Sequence, residues 1–82
     1  MYLSGVRTIH TKMHRAMVDL IKEERKARGL SQAEVARRLG EYQSWMMRLE
    51  SGDRRVDIVE FHRVAKAIGF DPVRAVRKIW SS

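Results

Sequence analysis

The sequence contains no cysteine, which excludes a disulfide framework and a thiolate metal cage. Stability is left to packed apolar side chains, an arrangement suited to a reducing compartment. No apolar run approaches the roughly 18 residues of a membrane span. The opening residues, Met1-Tyr-Leu-Ser-Gly-Val-Arg7, have neither the apolar stretch nor the cleavage site of a secretory signal, so a cytoplasmic, nucleoid-associated location is expected. No stretch alternates polar and apolar residues over a useful length, which argues against a sheet. Without strands there is no place for a glycine-rich phosphate loop. The sole proline, Pro72, follows Asp71, where a helix accepts it as its first residue.

What is present points to a small helical domain with a polyanionic partner. The chain has 82 residues, of which 44% are hydrophobic and 33% charged, a composition that folds rather than stays disordered. Length allows one domain, expected over residues 11–80, preceded by a flexible arm at 1–10. The net charge is +7 and the pI is near 10.6, which favours nucleic acid. The basic residues are spread through both halves of the chain rather than gathered in a tail.

Five helices are expected. From Thr11 to Arg28, Met13, Met17, Leu20, Ile21 and Ala27 recur at intervals of three and four, as one buried stripe requires, and Gly29 ends the helix. Ser31-Gln-Ala-Glu34 is a capping-box sequence opening a second helix with Val35, Ala36 and Leu39 on its apolar side, stopped by Gly40. A third spans Gln43 to Ser51, before Gly52. Asp57-Ile-Val-Glu60 is a second cap, for a helix whose buried positions are Ile58, Phe61, Val64, Ala65 and Ile68. Asp71-Pro72 opens the last, which carries Val73, Val76, Ile79 and Trp80 on one side.

No catalytic set accompanies these helices. His10 and His14 are spaced i, i+4, but neither cysteine nor a nearby carboxylate completes a metal site, and both read as surface histidines. His62 lacks a serine and an aspartate placed for a triad. Glu23 and Glu24 are adjacent on a helix and diverge, which suits ion pairing rather than acid–base work. Neither an enzyme activity nor a cofactor or metal is expected.

The second and third helices carry the functional signal. Two short helices joined by a glycine-bearing turn, in a basic all-helical chain, suit a helix laid in a DNA major groove. At about 100° per residue, Tyr42, Met46, Leu49 and Glu50 fall on one side of the third helix. Ser44, Met47, Arg48 and Ser51 fall on the other, with Gln43 at the exposed N-terminal end. Gln43 has the donor and acceptor for a bidentate contact to adenine, Arg48 two donors for guanine, Ser44 a hydroxyl for base or phosphate, and Met47 an apolar end for a thymine methyl. Arg54 and Arg55, beyond the helix stop, are assigned to phosphate contact. Arg37 and Arg38 are weaker candidates, one for phosphate and one for solvent. Trp45, at the flank of the third helix, is assigned to packing.

Taken together, Arg25-x-x-x-Gly-Leu-Ser-Gln32, Ala33-Glu-Val-Ala-x-x-Leu-Gly40, Gln43-Ser44 and Glu50-x-Gly52 resemble the phage repressor and Cro type of helix-turn-helix regulator, the XRE-like family. The resemblance covers residues 12 to 70, and Gly52-Asp-Arg-Arg-Val-Asp57 is similar to one bacterial branch. It implies an all-α, compact five-helix, lambda-repressor-like domain with the helix-turn-helix at helices 2 and 3. It further implies that Gln32 contacts a phosphate and braces Gln43, that the helix start around Ser31 holds the same phosphate, and that Arg25 and Glu50 form an internal ion pair. For the apolar C-terminal helix two compatible readings stand: it closes the monomer core, and, as the resemblance implies, Val73, Val76, Ile79 and Trp80 add a two-fold dimer contact. The expected function is a sequence-specific transcriptional regulator, a repressor, binding double-stranded DNA at an inverted repeat as a homodimer. Ser51 is assigned with Ser31, Gln32, Arg54 and Arg55 to phosphate. Two alternatives are an antitoxin-like module that uses the same fold chiefly to hold a protein partner, and non-specific nucleic-acid packaging.

Overall fold

The computed structural model describes residues 11–81, so the arm expected at 1–10 lies outside the described residues. Five helices follow in order: α1 (Lys12–Ala27), α2 (Gln32–Leu39), α3 (Gln43–Ser51), α4 (Ile58–Ile68) and α5 (Pro72–Trp80). The all-α architecture expected from the sequence is the one observed. Its ends are set by local chemistry. Ser31 and Asp57 each form a complete capping box, with Glu34 and Glu60 reaching back to the cap N–H groups. Asp71 caps α5 by accepting from the Val73 and Arg74 N–H groups, and Thr11 caps α1 by accepting from His14.

The turn between α2 and α3 depends on Gly40. Its φ of 74° lies in the left-handed region, and it lets the Glu41 N–H donate back to the Ala36 carbonyl at 2.9 Å. An L side chain there would carry a strain of about 1–2 kcal/mol, which is why the chain reverses at glycine.

The core is built where the helices cross. α2 packs on α3 and α4, while α1 packs on α3, α4 and α5. Ile21, Val35, Met46, Leu49, Phe61 and Val64 are fully buried at the centre. Phe70, in the α4–α5 turn, meets Phe61 edge-on, with centroids 5.9 Å apart and planes at 66°. Full burial of one such side chain contributes about 1.5–3 kcal/mol, so this small cluster carries the stability that disulfides do not.

Four sequence expectations need correction. The buried stripe of α1 is His14, Val18, Leu20, Ile21 and Arg25, whereas Met13 is 54% exposed and Ala27 is exposed. The helix is rotated from its apolar pattern because two polar residues on the stripe find buried partners. His14 is one: it is buried, not a surface residue, and its Nε2 accepts the Val56 N–H at 3.1 Å. Ile58 is 65% exposed, because the first turn of α4 projects beyond the core. Tyr42, expected on the packed side, is the α3 N-cap in extended conformation and is 85% exposed.

Candidate nucleic-acid interface

α3 has two unlike sides. Met46, Leu49 and Glu50 are buried, while Gln43, Ser44, Met47, Arg48 and Ser51 are all exposed. A helix becomes a reader only if its orientation is fixed from behind, and the buried side does this with charge as well as packing.

Arg25 of α1 reaches Glu50 of α3 in a two-pronged bond. Its Nε donates to Oε2 at 2.7 Å and its Nη2 to Oε1 at 2.9 Å. The remaining Nη1 donates to the Leu30 carbonyl at 2.8 Å. Both side chains are almost fully enclosed, at 11% and 3% exposure. Burial alone would push the Glu50 carboxyl up, but bonds from Arg25 and Gln32 and the nearby positive charge overcome it and hold the group below its ordinary range. The same bond holds Arg25 above its usual value. The pair joins α1, the α1–α2 turn and α3 at one point.

That depression has a pH signature. An unfolded glutamate titrates near about 4.3, while the folded Glu50 releases its proton lower. The pair's contribution is therefore complete above about pH 5, shrinks as pH falls toward the folded value, and is gone below it. Urea unfolding at pH 7 and pH 3 should show the stability gap between wild type and Glu50→Gln closing at the lower pH. Curves that stay parallel would contradict this assignment.

Gln32 departs from what the resemblance implied. Its Nε2 donates to Glu50 Oε1 at 3.0 Å, so it braces the buried carboxylate rather than Gln43. Oε1 already accepts from Arg25, and a carboxylate oxygen has a second lone pair to satisfy. Ser31, exposed at the same helix start, is occupied by the capping box, which also lowers Glu34 through the Ser31 N–H. The Ser51 hydroxyl donates back to the Arg48 carbonyl at 3.1 Å.

The two arginines after α3 are not equivalent. Arg55 is exposed. Arg54, also expected to meet solvent and phosphate, is turned inward: its Nη2 donates to Glu60 at 2.7 Å, and its Cζ sits 4.6 Å from the centre of the Trp45 ring. An opposite charge and an aromatic face together outcompete water for a guanidinium. Trp45 is half-buried against the core, which gives Arg54 its platform.

Other basic residues serve helix ends. Arg38 of α2 donates to the Ala67 carbonyl near the end of α4 at 2.7 Å, and Arg63 of α4 donates to the Leu39 carbonyl ending α2 at 3.0 Å. Arg28 donates to the Gly69 carbonyl at 3.1 Å. A cation at a helix C-terminus satisfies orphan carbonyls and the dipole. Part of the chain's positive charge therefore holds the fold. Of the residues named for the interface, Gln43, Ser44, Met47, Arg48 and Arg55 are exposed, as are Ser31 and Ser51, whose hydroxyls are engaged within the fold.

Tyr42 stands exposed at the start of α3, next to Gln43. It occupies an N-cap where serine, threonine or aspartate is usual, and α3 has no side-chain cap bond. A cap position without a capping residue was the available signal: it leaves the first N–H groups of α3 and a large ring beside Gln43.

Val73 and Trp80 of α5 are 63% and 65% exposed, with Val76 and Ile79 half-buried between them and the core. Met13, Met17, Ile58, Val76, Ile79 and Trp80 line one groove, which Arg55 also lines. No helix among the described residues is long and apolar enough to cross a membrane.

The family model of the helix-turn-helix domain matches residues 16–77. An uncharacterized HTH-type transcriptional regulator of Methanothermobacter thermautotrophicus is 35% identical over 60 residues, which cover 73% of this chain and 87% of that one. In three dimensions, an XRE-family like protein from Pseudomonas syringae pv. tomato str. DC3000 aligns over 94% of both chains with a TM-score of 0.85 and 38% identity. The chain belongs to the helix-turn-helix domain family and is an XRE-like, DNA-binding transcriptional regulator.

Proposed function

We propose that the protein represses transcription by binding an inverted-repeat operator as a homodimer, with α3 of each protomer in the major groove. The observation that carries this reading is the division of α3: an exposed side of Gln43, Ser44, Met47 and Arg48 backed by a buried ion pair that fixes its orientation. Gln43 and Arg48 read adenine and guanine edges, Ser44 contacts base or phosphate, and Met47 covers a thymine methyl. Arg55, Ser51 and the start of α2 at Ser31 and Gln32 lie along the phosphates, where first-turn N–H groups favour an anion.

The apolar face of α5 supports the two-fold contact. Val73 and Trp80 are too exposed to be explained by the monomer core, and contiguous apolar surface of this kind marks an association site. The reading requires a second copy there to set the two α3 helices about one DNA turn, roughly 34 Å, apart. Sedimentation of the full chain should give a dimer, and Val73→Glu should shift it to monomer while leaving the fold intact. That variant should also lose affinity for a two-half-site duplex far more than for a half-site. A wild-type monomer, both free and on DNA, would contradict the dimeric reading and turn the α5 face over to a different protein partner.

A further inference from the structure

The loop from Gly52 to Asp57 alternates outward and inward. Asp53, Arg55 and Asp57 are exposed, Arg54 is half-buried and Val56 is buried. Both inward residues are tied down. Val56 donates its N–H to His14 of α1. Arg54 lies on Trp45 of α3 and bonds Glu60 of α4, so its side chain spans both helices that the loop connects. Arg54 Nη1 is buried and has no hydrogen-bond partner among the described residues. The atom cannot donate to a phosphate unless the guanidinium leaves Trp45 and Glu60. Glu60 is equally committed: Oε1 accepts the Asp57 N–H in the α4 capping box, and Oε2 accepts Arg54. One carboxylate thus couples the start of α4 to the clamp on α3.

We infer that Arg54 is a positioning residue, not a DNA ligand: it locks the α3–α4 loop so that Arg55 alone of the adjacent pair faces the phosphate backbone. This rests on the DNA-binding reading above and deepens it. The clamp fixes the loop over Trp45, and Arg55, exposed beside the groove lined by Met13, Ile58 and Trp80, is then held at the domain surface. Loss of the clamp leaves Arg55 charged but no longer held, so its phosphate contact must be bought with ordering entropy at the moment of binding.

The test is a set of salt titrations of the full chain on a short mixed-sequence duplex, with Arg54→Met, Arg55→Met, the double variant and Glu60→Gln. Glutamine preserves the capping box while removing the charge that Arg54 bonds. Arg55→Met should reduce the slope of log affinity against log salt by about one phosphate contact. Arg54→Met should weaken binding in the wild-type background and cost nothing further once Arg55 is gone, because it acts through that residue. Glu60→Gln should weaken binding as Arg54→Met does. The assignment is overturned if Arg54→Met removes a further unit of slope from the Arg55→Met protein, or if Glu60→Gln strengthens binding by releasing a phosphate-seeking arginine. A readout independent of DNA is amide exchange at Val56, which should quicken in Arg54→Met and Glu60→Gln but not in Arg55→Met; unchanged exchange in all three also overturns the clamp. A wild-type chain that does not bind the duplex at all overturns the functional reading itself, an outcome distinct from each of these.

Discussion

Glu50→Ala should leave much of the protein unfolded at 37 °C. The carboxylate accepts three bonds, two from Arg25 and one from Gln32, in a nearly dry site. Its removal strands a buried guanidinium, a loss of about 3–5 kcal/mol. A domain of this size holds only about 5–10 kcal/mol in all, so the midpoint of thermal unfolding should fall by roughly 15–30 °C. The converse change separates a stranded charge from a lost attraction. Replacing both partners with apolar residues of similar size, Arg25→Met with Glu50→Leu, should restore most of the stability, since the pair itself barely exceeds its desolvation cost. Thermal and urea unfolding of the single and double variants would measure this. A Glu50→Ala protein as stable as wild type would mean that the pair is solvated in solution.

Arg48→Ala should leave folding untouched and cost about 1–3 kcal/mol of binding to the preferred site, roughly five- to a hundredfold and more. Arg48 is exposed, on the side of α3 away from the core, and among the described residues its side chain has no ion pair holding the fold. The loss should fall on one base pair: binding to duplexes altered at that position should be nearly unchanged by the substitution, since their guanine contact is already absent. Gln43→Ala should behave alike at a different base pair, and the two should add, being five positions apart on the helix with separate base partners. An Arg48→Ala protein weakened equally on every duplex would make the residue a phosphate contact instead.

The sequence disclosed this fold where the chemistry is local. Ser31 with Glu34, Asp57 with Glu60, and Asp71 with Pro72 each state a helix start within four residues, and α2, α4 and α5 begin where those residues say. The two sides of α3 follow from helical spacing alone. Legibility fails where a residue's environment is set by a distant partner. Met13 reads as core and His14 as surface, yet the Val56 N–H, 42 residues away, draws His14 inward and rotates Met13 out. Arg54 reads like Arg55, its neighbour of identical chemistry. Only the placement of Trp45 and Glu60 tells them apart, and that is a property of how α3 and α4 cross. Ile58 shows a third kind of failure: its spacing on α4 is correct for burial, but the first turn extends past the helices that would cover it. The exposed face that results, shared with Met13 and Trp80, is visible only in three dimensions.

The proposed role of the outward side of α3 is to read sequence in pairs of half-sites. Its most direct test is selection of binding sites from a random duplex pool at near-physiological salt, followed by sequencing of the survivors. The survivors should be enriched in a palindrome whose half-sites are centred about ten base pairs apart, each containing an adenine and a guanine at positions that Gln43 and Arg48 can reach. A pool that binds tightly at low salt yet emerges without a preferred sequence would contradict it, and would reduce the protein's basic surface to a general affinity for DNA.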